Sequence, residues 1–108
     1  MVYVIVATVM CMAKEEFCIM PPDDLYSTER YGNLHRHEIF FGSNRKKSIE
    51  YGLVVFLTPE MHNMSSAGVH FNREFDLYLK RKGQQAAMEY YQWDIKQFRA
   101  IFGKNYLF

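Results

Sequence analysis

Apolar and polar positions change period several times along the chain, and the changes mark its elements. Residues 2–10 read V-Y-V-I-V-A-T-V-M. This run has no alternation and is rich in Val and Ile, which predicts a strand covered on both faces, or one that meets another subunit. Lys14, Glu15 and Glu16 break it, residues 17–20 form a second short apolar patch, and Pro21, Pro22, Asp23 and Asp24 make a turn. Residues 25–33 read as loop, with Gly32 and Asn33 as a further turn signal. A strand is predicted over 35–41 and closed by Gly42, followed by a donor-rich loop over 43–48 and a second strand over 53–57 entered through Gly52.

The second half reads as helical. Thr58 is a good N-cap, Pro59 suits the first helical position and Glu60 suits the positive end of the helix dipole. That short helix would carry His62 and end in M-S-S-A-G. From 72 to 91 the apolar positions Phe71, Phe75, Tyr78 or Leu79, Ala86 and Tyr90 recur at helical spacing, with Gly83 weakening the middle. Lys80, Arg81 and Lys82 are expected on the opposite side. Asp94 is placed to cap a last helix that turns Ile95, Phe98, Ile101 and Phe102 inward and stops at Gly103. The expected fold class is α+β in a single domain, 1–108, with neither repeat nor linker.

Composition narrows this picture a little. Of 108 residues 49% are hydrophobic and 17% aromatic, which fits a globular chain rather than a disordered one. The net charge of +1 means that bulk charge does not point to nucleic acid, so any such affinity must come from local clusters. Cys11 and Cys18 are too few for a disulfide framework and read as reduced thiols. The apolar start is shorter than the roughly 20 residues a bilayer span needs and lacks the positive region of a signal peptide. No membrane partner is expected, a short membrane-associated segment being the minor alternative to a buried strand there.

The chemistry is concentrated in one stretch. All four histidines, His35, His37, His62 and His70, fall between residues 34 and 72. A strand–loop–strand–helix unit that folds back on itself can bring His37 on its first strand to His62 in its helix, and His70 can return to the same place. Imidazole nitrogens converging in that way make a divalent-cation site. The alternative is that these histidines fill polar packing roles.

The runs H-E-I-F-F-G, N-R-K-K, Y-G-L-V-V-F-L and T-P-E-M-H-N resemble an HNH endonuclease of the ββα-metal (His-Me finger) type. More narrowly, residues 18–107 look like small HNH-like proteins of phages and prophages of Gram-positive bacteria. Two later segments carry that likeness: 68–76 (G-V-H-F-N-R-E-F-D) and 101–107 (I-F-G-K-N-Y-L). The first 13 residues have no counterpart in it. The resemblance implies a ββα-metal core over about 34–72, a cytoplasmic location in a bacterial host cell, and DNA as the partner. It implies one divalent metal, Mg2+ in the first place with Mn2+ or Zn2+ as alternatives. His37 falls on the strand ligand and His62 on the helix ligand, with His70 as a further ligand. Glu38 stands where a water-activating histidine is usual. A solvated carboxylate is a weaker base than imidazole at neutral pH, and His35, on the strand face of His37, is the substitute base.

Asn44, Arg45, Lys46 and Lys47 are placed to touch a phosphate backbone, and Lys80 to Lys82 to extend that surface; an ordinary solvated loop and helix face is the other reading. Tyr90, Tyr91 and Trp93 are available for base stacking, or for core packing or a subunit contact. The Cys-x-x-Cys pairs that hold a structural zinc in many relatives are missing, with Thr58 and Met61 in the helix positions, so no structural zinc is expected. Two functions follow. One is a metal-dependent phage or prophage DNA endonuclease. The other is a catalytically degenerate HNH-fold binding protein, such as a phage accessory factor or an inhibitor of a host defence system, with a protein partner. A homodimer is compatible with either.

Overall fold

Two short antiparallel strands lie at the centre of the computed structural model, which describes residues 16–64, 68–70 and 72–108. The strand expected at 2–10, together with Cys11, lies outside these residues. Strand β1 (His35–Glu38) pairs with β2 (Val54–Leu57), His37 opposite Val55 and Glu38 opposite Val54. The ladder runs on past β1, where the Ile39 amide donates to the Leu53 carbonyl at 3.1 Å. The outer edge of β2 is also covered. Ser27 and Phe56 exchange both backbone hydrogen bonds at 2.9 Å. Every residue of β2 is buried, so both of its faces are covered, which is why β2 reads as an unbroken apolar run rather than an alternating one.

The link between the strands corrects one expectation. Residues 43–48 are not a loop: a 3-10 turn (Gly42–Asn44) leads into helix α1 (Arg45–Glu50). Gly42 makes the reversal out of β1 at φ +70°, and Gly52 makes the one into β2 at φ +76°. Between them Arg45, Lys46, Lys47 and Glu50 are good helix formers, and the charges that suggested a loop cover a solvated helix face. Ser48 anchors the inner side. Its buried hydroxyl donates to the Leu53 carbonyl at 2.6 Å and accepts from the Phe40 amide at 3.1 Å.

Helix α2 (Arg73–Tyr91) and helix α3 (Ile95–Phe102) close the core. The Asn72 side chain caps α2 by accepting from the Phe75 amide, and Gln92, at φ 59°, ends it. Asp94 and Gln97 form the expected capping box of α3, and Gly103 terminates it at φ 86°. Gly83 does more than weaken α2. A Cβ there would stand 3.1 Å from Phe40 Cε2 and 3.3 Å from Ile39 Cγ2, so the glycine lets the helix backbone approach the end of β1. Phe40 is then enclosed by Phe98, Phe102 and Tyr106, with ring centroids 4.7–5.5 Å away. The buried Gln84 amide fixes the C-terminal segment, donating to Asn105 Oδ1 and accepting from the Tyr106 amide. The result is a small α+β fold with a two-stranded antiparallel sheet and packed helices. Among the described residues no helix is long and apolar enough to cross a membrane.

Candidate metal centre

Three separate pieces of backbone supply the site. Residues two apart on a strand share a face, so β1 turns His35 and His37 to the same side. His37 is 1% exposed. After β2 the Thr58 hydroxyl accepts from the Met61 amide at 3.2 Å, as expected of a helix cap. The segment it opens is one π-helical turn (Glu60–Met64) rather than an ordinary helix; such turns are frequent at functional sites. His62 sits on that turn. His70 is tied beside it by two backbone bonds: Val69 amide to Met61 carbonyl at 2.7 Å, and His70 amide to His62 carbonyl at 3.3 Å.

The rings converge. The His37 centroid lies 5.3 Å from that of His62 and 5.1 Å from that of His70, and the latter two are 4.8 Å apart. Each can offer one nitrogen to a point where all three nitrogens lie within 4.8 Å of one another. The Nε2 atoms of His62 and His70 approach to 3.2 Å. Ligands about 2.0–2.1 Å from one tetrahedral ion stand roughly 3.3 Å apart, so this pair already has ligand spacing. His37 Nε2 is buried and has no hydrogen-bond partner among the described residues. Such an atom costs about 1–3 kcal/mol if left unsatisfied, and a cation at the convergence point would satisfy it. Three histidines of the four therefore fit a metal.

Protonation agrees. Burial, reinforced by His62, His70 and Lys80, pushes the His37 pKa down to about 3. Burial also lowers that of His62, with His70 and His35 adding to it and Glu38 opposing. A metal ligand must be the neutral imidazole, and His37 is neutral throughout the physiological range. His35 stands just beyond the trio, its Nδ1 3.1 Å from His62 Nδ1.

Glu38 is not brought into the cluster. Strand alternation turns it away from His37, and its two carboxylate oxygens bind Arg36 Nε and Arg45 Nε, each at 3.0 Å. The four residues expected on phosphate divide. Asn44 Nδ2 donates to the Phe102 carbonyl at 2.9 Å and Lys47 Nζ to the Ile101 carbonyl at 2.7 Å. Both thus satisfy the end of α3, where a cation is favourable. Lys46 is exposed, and the Arg45 side chain, 64% exposed, also reaches solvent.

The expected basic face of α2 is corrected too. Lys80 is only 9% exposed; both oxygens of Asp76 hold its ammonium at 2.7 Å, and it lies 4.0 Å over the Phe41 ring. Lys82 binds Asp23, and Arg81 donates to the Tyr106 carbonyl. Phe41 in turn packs against His70 at 5.0 Å and His37 at 5.7 Å. Phe41, Lys80 and Asp76 thus wall the site, a role that the sequence reading missed. The i,i+4 spacing of Asp76 and Lys80 was its available signal. Tyr91 stacks on Trp93 at 4.8 Å, and both pack edge-on against Tyr51, so they serve packing; Tyr90 remains exposed. No known protein family, curated protein or solved structure matches the chain.

Proposed function

We propose that this chain is a metal-dependent phosphodiesterase of the HNH (ββα-metal, His-Me finger) type that cuts DNA, encoded by a phage or prophage. The observation that carries the reading is the convergence of His37, His62 and His70, with His37 Nε2 buried and without a hydrogen-bond partner among the described residues. The order of β1, β2 and the π-helical turn, and the motifs these elements bear, support it.

Three ligands from one side leave positions open to substrate, as catalytic sites require. When bound, a divalent cation supplies Lewis-acid stabilisation of the scissile phosphate and lowers the pKa of water beside it, so hydrolysis needs no strong protein base. The chain's own residues do the rest. His37, fixed by β1, sets the depth of the site. The backbone bonds between 61–62 and 69–70 hold the His62 and His70 rings at ligand spacing. Phe41 packs against the His37 and His70 rings. An all-imidazole donor set suits Zn2+ better than Mg2+ or Mn2+, which prefer oxygen.

Glu38 favours a second reading, a catalytically retired binding protein of the same fold. A carboxylate engaged by two arginines is not poised to take a proton from water. Plasmid and single-stranded DNA incubated with Zn2+, Mn2+ or Mg2+ separate the two. The first reading expects metal-dependent nicking that is lost in His37→Ala and in His62→Ala. Stoichiometric metal binding without turnover on any DNA form would refute it and leave the binding protein.

A further inference from the structure

We infer that His35 is a positioning residue for the ligand His62, dictating which of its nitrogens carries the proton. The inference rests on the metal-binding reading above and would give that site a built-in orienting partner.

Both nitrogens of His62 face another imidazole. Its Nε2 meets His70 Nε2 at 3.2 Å, and its Nδ1 meets His35 Nδ1 at 3.1 Å. Two imidazole nitrogens this close share one proton, held by one as donor and accepted by the other. With a cation among His37, His62 and His70, the Nε2 atoms of His62 and His70 must both be bare lone pairs. The single proton of neutral His62 then sits on Nδ1. Its acceptor is His35 Nδ1, which places the proton of His35 on Nε2. Metal-bound histidines commonly donate their second N–H to a carboxylate, a carbonyl or water, and this contact fixes the tautomer and raises ligand basicity. Here another imidazole takes that place.

The architecture explains why the partner is His35. Residues 35 and 37 share one face of β1, opposite Leu57 and Val55. One strand therefore supplies a ligand and the acceptor that orients a second ligand. A slip of one residue in register would turn both away. The Nδ1 lone pair that would make His35 a base is committed to His62.

The test is calorimetric titration of the purified chain with Zn2+, paired with the visible absorption of the Co2+ form. Wild type, His35→Leu and His35→Asn are compared, and far-ultraviolet circular dichroism checks their folding. The Asn amide oxygen can occupy the place of His35 Nδ1 and accept the same proton, whereas Leu cannot. His35→Leu is expected to weaken Zn2+ binding by about 10–100-fold and to alter the Co2+ bands. His35→Asn should recover most of the affinity and the wild-type spectrum. Unchanged affinity in His35→Leu, or His35→Asn as weak as His35→Leu, would overturn the inference while leaving the site intact. Failure of the wild-type chain to bind either cation would sink both.

Discussion

Replacing Asp76 by Asn removes one charge and almost no volume, and it strands the Lys80 ammonium. The Lys80 side chain is 11% exposed and that of Asp76 21%, so this i,i+4 pair is not an ordinary surface one. Exposed pairs of this spacing contribute about 0.3–0.5 kcal/mol. Here both carboxylate oxygens hold the ammonium at 2.7 Å. Hydrogen bonds to a charged group contribute about 1.5–3 kcal/mol, and the Phe41 ring retains about 0.5–1 kcal/mol of attraction for the cation. Asp76→Asn should therefore cost about 2 kcal/mol, a fall in Tm of about 10 °C for a domain of this size. Lys80→Met should cost less, about 1 kcal/mol, because the more exposed carboxylate can be hydrated and the thioether still packs on Phe41. The double variant should resemble Lys80→Met alone. Urea unfolding of the four proteins gives the coupling energy directly. Additive losses under about 0.5 kcal/mol each would refute the reasoning and return the pair to the surface class. Asp76→Asn should also weaken metal binding, since an uncompensated cation would flank the site.

Other elements give sharp expectations. Gly83→Ala gains about 1 kcal/mol of helix propensity. Its Cβ would press on Phe40, which three other rings already confine, at an overpacking cost of about 1–3 kcal/mol, so a net loss near 1 kcal/mol should appear in chemical denaturation. Asn44→Ala and Lys47→Ala should destabilise by about 1 and 0.5 kcal/mol through the lost end of α3; a drop in DNA affinity with unchanged unfolding would contradict that assignment. Burial raises the Asp23 carboxyl, but hydrogen bonds from Lys82, Tyr78 and the Leu25 amide outweigh it and bring the pKa from 3.8 to about 2. The folded-state value is the depressed one, so the stabilisation is complete above pH 4 and is lost as pH falls from 4 towards 2. After screening it amounts to about 1 kcal/mol, and Asp23→Asn should flatten that part of the pH–stability curve.

How far the sequence reveals this molecule depends on whether a signal is local. The α2 helix was legible from the helical spacing of its apolar positions, and α3 because Asp94 and Gly103 act on its own turns. The β2 strand was legible from its run of buried residues. The α1 helix was not, since its charges resemble a loop and Ser48, its buried anchor, works through Leu53 and Phe40. Gly83 shows the same limit: only its contact with Phe40 gives it a reason. The histidine cluster lies between these cases. A fold-back of strand, strand and helix sufficed to join His37, His62 and His70. The backbone pairing of 69–70 with 61–62, which sets their spacing, involves bonds that no periodicity announces. Lys80 was misplaced because a lysine normally faces water, and burial here depends on Asp76 and Phe41 together.

On the proposed reading, these placements change which residues hold a nucleic acid. The N-R-K-K segment had offered four phosphate donors. Asn44 and Lys47 close the end of α3, and Arg45 shares Glu38 with Arg36. Lys80 is neutralised by Asp76, and Lys82 by Asp23. Of the N-R-K-K segment, Lys46 and the outer part of Arg45 face solvent without closing a helix end, and a contact to one phosphate contributes about one unit to the salt dependence of binding. A net charge of +1 offers little bulk attraction to DNA. On the proposed reading, a cation held by the three histidines would supply the main hold on phosphate. DNA affinity should thus follow metal occupancy far more steeply than it follows Arg45 or Lys46.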